Sequence, residues 1–273
     1  MTVALVTGAT QGLGLALVEG LAQRLDPTDT VYLTGRDMNR VMTAVESMPG
    51  GGGAEIRGEL LDVADHQAAR RLAHQIQERH GGIDIVFGNA VMRVGPDDDP
   101  RVIADRYTEV NNFGTTRLLR AFAPLLRDNG RLLVVASSLG TLHHLAPVLH
   151  NRFTTPSSLD EIDEQIARWR DELKDRRTGA WPAFVNIPSK IGQVAAVRVL
   201  AAERREDDLN RGILIASVCP GMINTPTSAL WWNVSTAPTP AQAAVALLDL
   251  ALDPVKPEHY GELVRFGEVV PFS

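Results

Sequence analysis

Val3-Ala4-Leu5-Val6-Thr7-Gly8-Ala9-Thr10-Gln11-Gly12-Leu13-Gly14 joins four apolar residues to a glycine-rich turn and the start of an amphipathic stretch over 13–25. An apolar run without alternation reads as a strand buried on both faces. Glycines at 8, 12 and 14 permit a tight turn, let backbone approach a pyrophosphate and expose the N–H groups of the following helix to it. A lone G-x-x-x-G-x-G says little. Placed between an opening strand and a helix, it predicts a dinucleotide-binding turn built from Gly8, Thr10, Gln11, Gly12, Leu13 and Gly14.

The same rhythm continues outward. Strands are expected at 30–34, 54–61, 83–87, 131–136, 213–218 and 262–266, and helices at 38–47, 67–79, 102–126, 184–204 and 241–252. Short apolar runs joined by helices predict an α/β fold with a doubly wound parallel sheet covered on both faces, in a single domain over 1–273. Gly50-Gly51-Gly52-Gly53 precedes no helix and reads as a flexible joint. Asp97-Asp98-Asp99 reads as a solvated loop, and no metal is expected.

Composition sets the outer limits. The 273 residues are 44% apolar and 22% charged with a net charge of −6, which fits a globular chain and leaves no basic footprint for nucleic acid. No apolar run approaches the roughly 18 residues that cross a bilayer. The N-terminus lacks the features of a secretory signal, so a cytoplasmic location away from membranes is expected. One cysteine, Cys219, excludes an internal disulfide framework.

Arg36 follows the second strand, where an acid would accept from a ribose 2′-hydroxyl and a guanidinium can clamp a 2′-phosphate. With Asp37 only one place later, the pattern favours NADPH over NADH. Asp62 and Val63 follow the third strand, where Asp62 can reach an adenine amino group or cap the next turn.

On these residues the chain resembles the short-chain dehydrogenase/reductase family along nearly its whole length. The family's T-G-x-x-x-G-x-G stands as Thr7–Gly14. Its N-N-A-G is degraded to Gly88-Asn89-Ala90-Val91, its helix asparagine matches Asn111, and its serine matches Ser138. Its P-G-x-x-x-T is Pro220-Gly221-Met222-Ile223-Asn224-Thr225. The resemblance implies cofactor contacts from Asn89, Pro220, Gly221, Ile223 and Thr225, and a water held near Lys190 by Asn111.

The family's Y-x-x-x-K marks the departure. Lys190 supplies the lysine, and four places earlier stands Asn186 instead of tyrosine. Lysine is scarce here, with only Lys174, Lys190 and Lys256 among 27 basic residues, so Lys190 is no accident of composition. General acid catalysis is typically worth about 10²–10⁴-fold, and a carboxamide releases no proton near neutral pH. Pro188 is harmless only if the helix begins near position 185 or 186. His143, His144 and Tyr107 are the other protic side chains considered, with surface or packing roles as their plainer readings.

Ser138 and Asn186 lie 48 positions apart, far more than the family usually has. The surplus, 143–180, carries a helical pattern over 159–173 and resembles the insertion of the carbonyl-reductase branch. That resemblance implies a monomer whose oligomerisation face is covered, and a lid over the substrate is equally open. The four tryptophans, Trp169, Trp181, Trp231 and Trp232, fall in or beside this stretch or after Thr225. Trp181, Trp231, Trp232 and His144 are the candidate substrate contacts, indoles being suited to stacking a planar ligand.

The resulting expectation is an NADPH-dependent ketoreductase with Ser138, Lys190, Asn111 and Asn186 at its centre. Its small-molecule aromatic substrate supplies the missing acid through a neighbouring hydroxyl. The chain further resembles atypical ketoreductases of angucyclinone biosynthesis, which implies reduction of a 7-oxo group. The alternative is a non-catalytic NADP-binding regulator that kept the fold.

Overall fold

The computed structural model describes residues 1–48 and 53–273; apart from Gly53, the glycine joint lies outside them. Along the chain run β1 (Val3–Val6), α1 (Gly12–Arg24), β2 (Thr30–Gly35), α2 (Met38–Glu46), β3 (Glu55–Leu60), α3 (Ala68–His80) and β4 (Ile83–Gly88). Then come α4 (Pro100–Thr108), α5 (Gly114–Phe122), β5 (Leu126–Val135), α6 (Asn151–Thr154), α7 (Leu159–Lys174) and α8 (Asn186–Asn210). The chain closes with β6 (Leu214–Cys219), α9 (Pro226–Ala229), α10 (Pro240–Leu252), β7 (Leu263–Arg265) and β8 (Glu268–Val270).

The strands form one sheet in the order β3-β2-β1-β4-β5-β6-β7-β8. All neighbours pair in parallel except β7 and β8, an antiparallel hairpin absent from the sequence expectation. Strand order reverses between β1 and β4, so the crevice at their C-terminal ends is the place where such sheets bind ligands. The turns after β1, β4, β5 and β6 all open onto that edge. Every residue of β1, β2 and β6 is buried, as an unalternating apolar run requires.

The single helix expected over 102–126 is broken. A wide turn at Glu109–Phe113 separates α4 from α5. Such i→i+5 turns recur at functional sites, and this one carries Asn111. β5 starts earlier than expected because its pairing with β4 shifts register between Ile83 and Ile85. α8 starts at Asn186, which places Pro188 in the first turn, where a backbone N–H has no intrahelical acceptor.

The inserted segment does not hang over the sheet edge. α7 packs on α4 and α8, burying Ile162, Ile166, Trp169 and Leu173. Asp163 accepts from Thr116 Oγ1 and Arg120, and Asp105 pairs with Lys174 and Arg170. Trp181 joins this core: it is 8% exposed, its Nε1 donates to Glu172, and its ring meets Trp169 and Phe153. Among the described residues no helix is long and apolar enough to cross a membrane.

Candidate active site

A cavity of about 830 Å³ occupies the crevice at the β1/β4 switch point. Its floor is the turn after β1, which contributes Gly8, Thr10, Gln11, Leu13 and Gly14. Gly8 has φ +62, and a Cβ there would lie 2.8 Å from Ala90 Cα, so only glycine fits without moving the chain. Asn89 fastens this turn to β4. Its Nδ2 donates to the carbonyls of Thr7 and Gly8, while Thr7 Oγ1 accepts from the N–H groups of Asn89 and Ala90. Gly12 lies just behind the wall, where a Cβ would face Arg93 at 3.7 Å.

One end of the cavity is cationic. Arg36, Arg40 and Arg93 line it. Arg40 donates to Gln11 Oε1 and Arg93 to Thr227 Oγ1, both neutral acceptors. Partial burial, with Arg40 nearby, holds the Arg93 guanidinium below its ordinary pKa. Asp37 also lines this end, its carboxylate capping α2 by accepting from the N–H groups of Asn39 and Arg40. The three guanidiniums outnumber the carboxylates of Asp37 and Asp62, so the lining stays net cationic and fits a 2′-phosphate. Asp62 lines the cavity, and its carboxylate accepts from Ala64 N–H and Arg106. Val63 lies beside it on the wall.

Ser138, Asn186 and Lys190 line the wall together with Pro220, Gly221, Ile223 and Thr225. Asn186 and Lys190, one helical turn apart on α8, share a face. Lys190 Nζ donates to Val135 O at 3.0 Å and Gln193 Oε1 at 2.7 Å. An ammonium has three N–H donors, so one is left for a ligand. Burial lowers its pKa to about 8. The Ser138 backbone N–H donates to Cys219 Sγ at 3.1 Å, fixing the serine at the mouth of β5.

Asn111, His144, Trp181 and Trp231, all expected at the site, lie off the cavity lining. Asn111 is 1% exposed behind the wall, and its side chain is engaged by the Met92 N–H and carbonyl. Gln193 bridges Asn111 and Lys190, its Nε2 donating to Asn111 O at 2.7 Å and its Oε1 accepting from Lys190 Nζ. His144 sits exposed on a short turn outside the cavity lining, as does His143. Trp181 belongs to the insertion core described above. Of the remaining indoles, Trp232 lines the cavity. Trp231 stands behind it, pinned by Nε1 to Val94 O and packed on Phe184 with centroids 4.9 Å apart.

Residues the sequence did not single out complete the site. Arg40 lies in the first turn of α2, just after the loop that carries Arg36. Arg93, Phe184 and Gln193 carry no marker in the sequence. Tyr107 is 1% exposed, and its hydroxyl donates to Asn186 Oδ1 at 3.0 Å.

A glycine turn at a helix N-terminus, a guanidinium end and a buried lysine opposite make a site for an anionic dinucleotide. Comparison with known proteins agrees. Residues 2–147 match the short chain dehydrogenase family, and the chain belongs to it. It is 31% identical to carbonyl reductase [NADPH] 1 of Homo sapiens over 232 residues, covering 82% of each chain. It is 28% identical to the Mus musculus protein of the same name over 280 residues, covering 99% of this chain and 98% of that one. Among solved structures, menthone neomenthol reductase from Mentha piperita superposes with a TM-score of 0.77 at 23% identity, covering 98% of this chain and 99% of that one. A short chain dehydrogenase from Burkholderia cenocepacia J2315 in complex with NADP gives 0.66 at 21% identity, covering 97% and 95%.

Proposed function

We propose that the protein is an NADPH-dependent ketoreductase that converts a ketone on an aromatic polyketide to an alcohol, the 7-oxo group of an angucyclinone-type ring system being the substrate implied. The observation that carries this reading is the shared wall of Ser138, Asn186 and Lys190 opposite the cluster of Arg36, Arg40 and Arg93. NADPH, when bound, supplies the hydride that the carbonyl carbon accepts. Lys190 holds the nicotinamide ribose, and its charge favours the anionic cofactor. Ser138 Oγ stabilises the negative charge that develops on the carbonyl oxygen. Asn186 offers that oxygen a hydrogen bond and no proton, so the proton comes from a hydroxyl beside the ketone or from water. Trp232, backed by Trp231 and Phe184, gives the flat apolar face that a fused ring system needs. The insertion lies over α4 and α8, which supports its cover of the oligomerisation face and a monomeric enzyme.

The replacement of the acid at position 186 favours a second reading, a non-catalytic NADP-binding regulator. A steady-state assay of NADPH oxidation separates them, using 8-hydroxy-1-tetralone and 1-hydroxyanthraquinone as ketones flanked by a phenol. Turnover of either supports the reductase. Tight NADPH binding without oxidation by any ketone overturns it.

Lys190 also sets a pH dependence. Its ammonium, brought down to about 8 by burial, is charged below that pH and neutral above it. An anionic ligand favours the charged form, so NADPH affinity falls as pH rises through about 8, and binding just above it takes up protons. Calorimetry in two buffers of different ionisation enthalpy measures the uptake. A proton count of zero would sink the assignment of Lys190 to the cofactor.

A further inference from the structure

Asn186 stands where a proton donor is expected, and the structure gives its carboxamide one orientation. A carboxamide has an acceptor end and a donor end, so fixing one aims the other. Oδ1 accepts from the hydroxyl of Tyr107 at 3.0 Å. Tyr107 comes from α4, one turn before the wide turn that carries Asn111, and is buried at 1% exposure. As the amide stands, Oδ1 is the acceptor of the buried O–H; rotating it would make the phenol oxygen accept from Nδ2 and turn its proton away from Asn186. The residue itself lines the cavity, whereas Tyr107 does not.

We propose that Tyr107 is the positioning residue that locks the Asn186 carboxamide with its Nδ2 amide toward the reacting oxygen, making position 186 a fixed neutral hydrogen-bond donor. The proposal rests on the reductase reading above. Tyr107 acts through Asn186 and not as the missing acid. It does not itself line the cavity, and burial pushes its phenol up to about 12, far from the range in which an acid delivers protons efficiently. Ser189 and Asn111, which also face the phenol, offset that rise only in part.

The test is a double-mutant cycle on turnover of 8-hydroxy-1-tetralone with Tyr107→Phe, Asn186→Ala and the double variant. Removing a preorganised donor to an oxyanion costs on the order of 10²-fold in kcat, which sets the expectation for Asn186→Ala. Tyr107→Phe frees the amide to rotate and lowers kcat by about tenfold, with KM for the ketone and Kd for NADPH within twofold of wild type. The double variant turns over like Asn186→Ala alone. A Tyr107→Phe kcat equal to wild type overturns the proposal. So does a further loss of tenfold or more when Tyr107→Phe is added to Asn186→Ala, which marks a direct or purely structural role. Thermal unfolding confirms that the variants compared are folded, and a crystal structure of Tyr107→Phe reads the amide directly: an unchanged, single orientation also overturns it. Wild-type protein that reduces no ketone tells against the reductase reading, whereas an active wild type with an additive cycle tells against Tyr107 alone.

Discussion

Gly14→Ala is expected to weaken NADPH binding by more than about 10²-fold, because an ångström-scale displacement of a positioning group is enough for such a loss. A Cβ at position 14 would lie 2.5 Å from Asn89 Nδ2, 2.7 Å from Gly8 O and 2.9 Å from Ala9 Cα. Two of those atoms are backbone of the cofactor turn itself. The third is the amide that fastens the turn to β4 through the carbonyls of Thr7 and Gly8. Every way of relieving the overlap therefore opens the cradle or detaches it from the sheet. Overpacking of this kind also costs stability, about 1–3 kcal/mol. Fluorescence titration with NADPH measures the binding loss, and thermal unfolding separates it from global destabilisation. An alanine variant that binds NADPH within threefold of wild type would remove the glycine turn from the cofactor site.

The turn and the sheet are legible in the sequence for a common reason. A strand covered by helices on both faces is apolar almost throughout, so Val3–Val6, and Leu214–Cys219 with only Ser217 polar, announce themselves without alternation. β8 has no such obligation. It lies at the sheet edge with Glu268 and Val269 exposed, and three residues give no period to read. The break at Glu109–Phe113 is equally silent, since a wide turn inside a helix keeps helical residue types throughout.

Site residues on the turns after strands are legible because the cofactor dictates their chemistry. Those that depend on packing are not. Trp181 and Trp232 are alike in sequence, each an indole in a polar stretch. Glu172, nine places before Trp181 on α7, accepts its indole N–H and draws it into the insertion core. Gln193 reads as one more polar residue on α8. Only the fold sets its two amide ends against Lys190 Nζ and the Asn111 carbonyl. Tyr107 sits one turn before Asn111, so a packing role is readable. Its bond to Asn186, 79 positions away, arises because the fold brings the end of α4 to the start of α8.

Methylating the phenol beside the ketone is expected to slow turnover by about 10²–10⁴-fold, the usual worth of a positioned general acid. Under the proposed mechanism that role falls to the substrate. Asn186 carries no releasable proton, the phenol of Tyr107 is raised to about 12 and lies behind the wall, and His143 and His144 are exposed away from the cavity. Lys190, with Nζ bonded to Val135 O and Gln193 Oε1, has one N–H left, which the proposed mechanism gives to the nicotinamide ribose. A hydroxyl peri to the carbonyl forms an internal hydrogen bond to its oxygen and delivers the proton as hydride arrives, and water then restores the phenol. The comparison is between 8-hydroxy-1-tetralone and 8-methoxy-1-tetralone, with unsubstituted 1-tetralone as the control for size. Loss of kcat in the methoxy and unsubstituted ketones alike identifies the hydroxyl as the acid. Loss in the methoxy ketone alone identifies a steric effect. Equal turnover of all three would place a proton donor on the protein and overturn substrate assistance, since Asn186 then has a protic partner at the reacting oxygen.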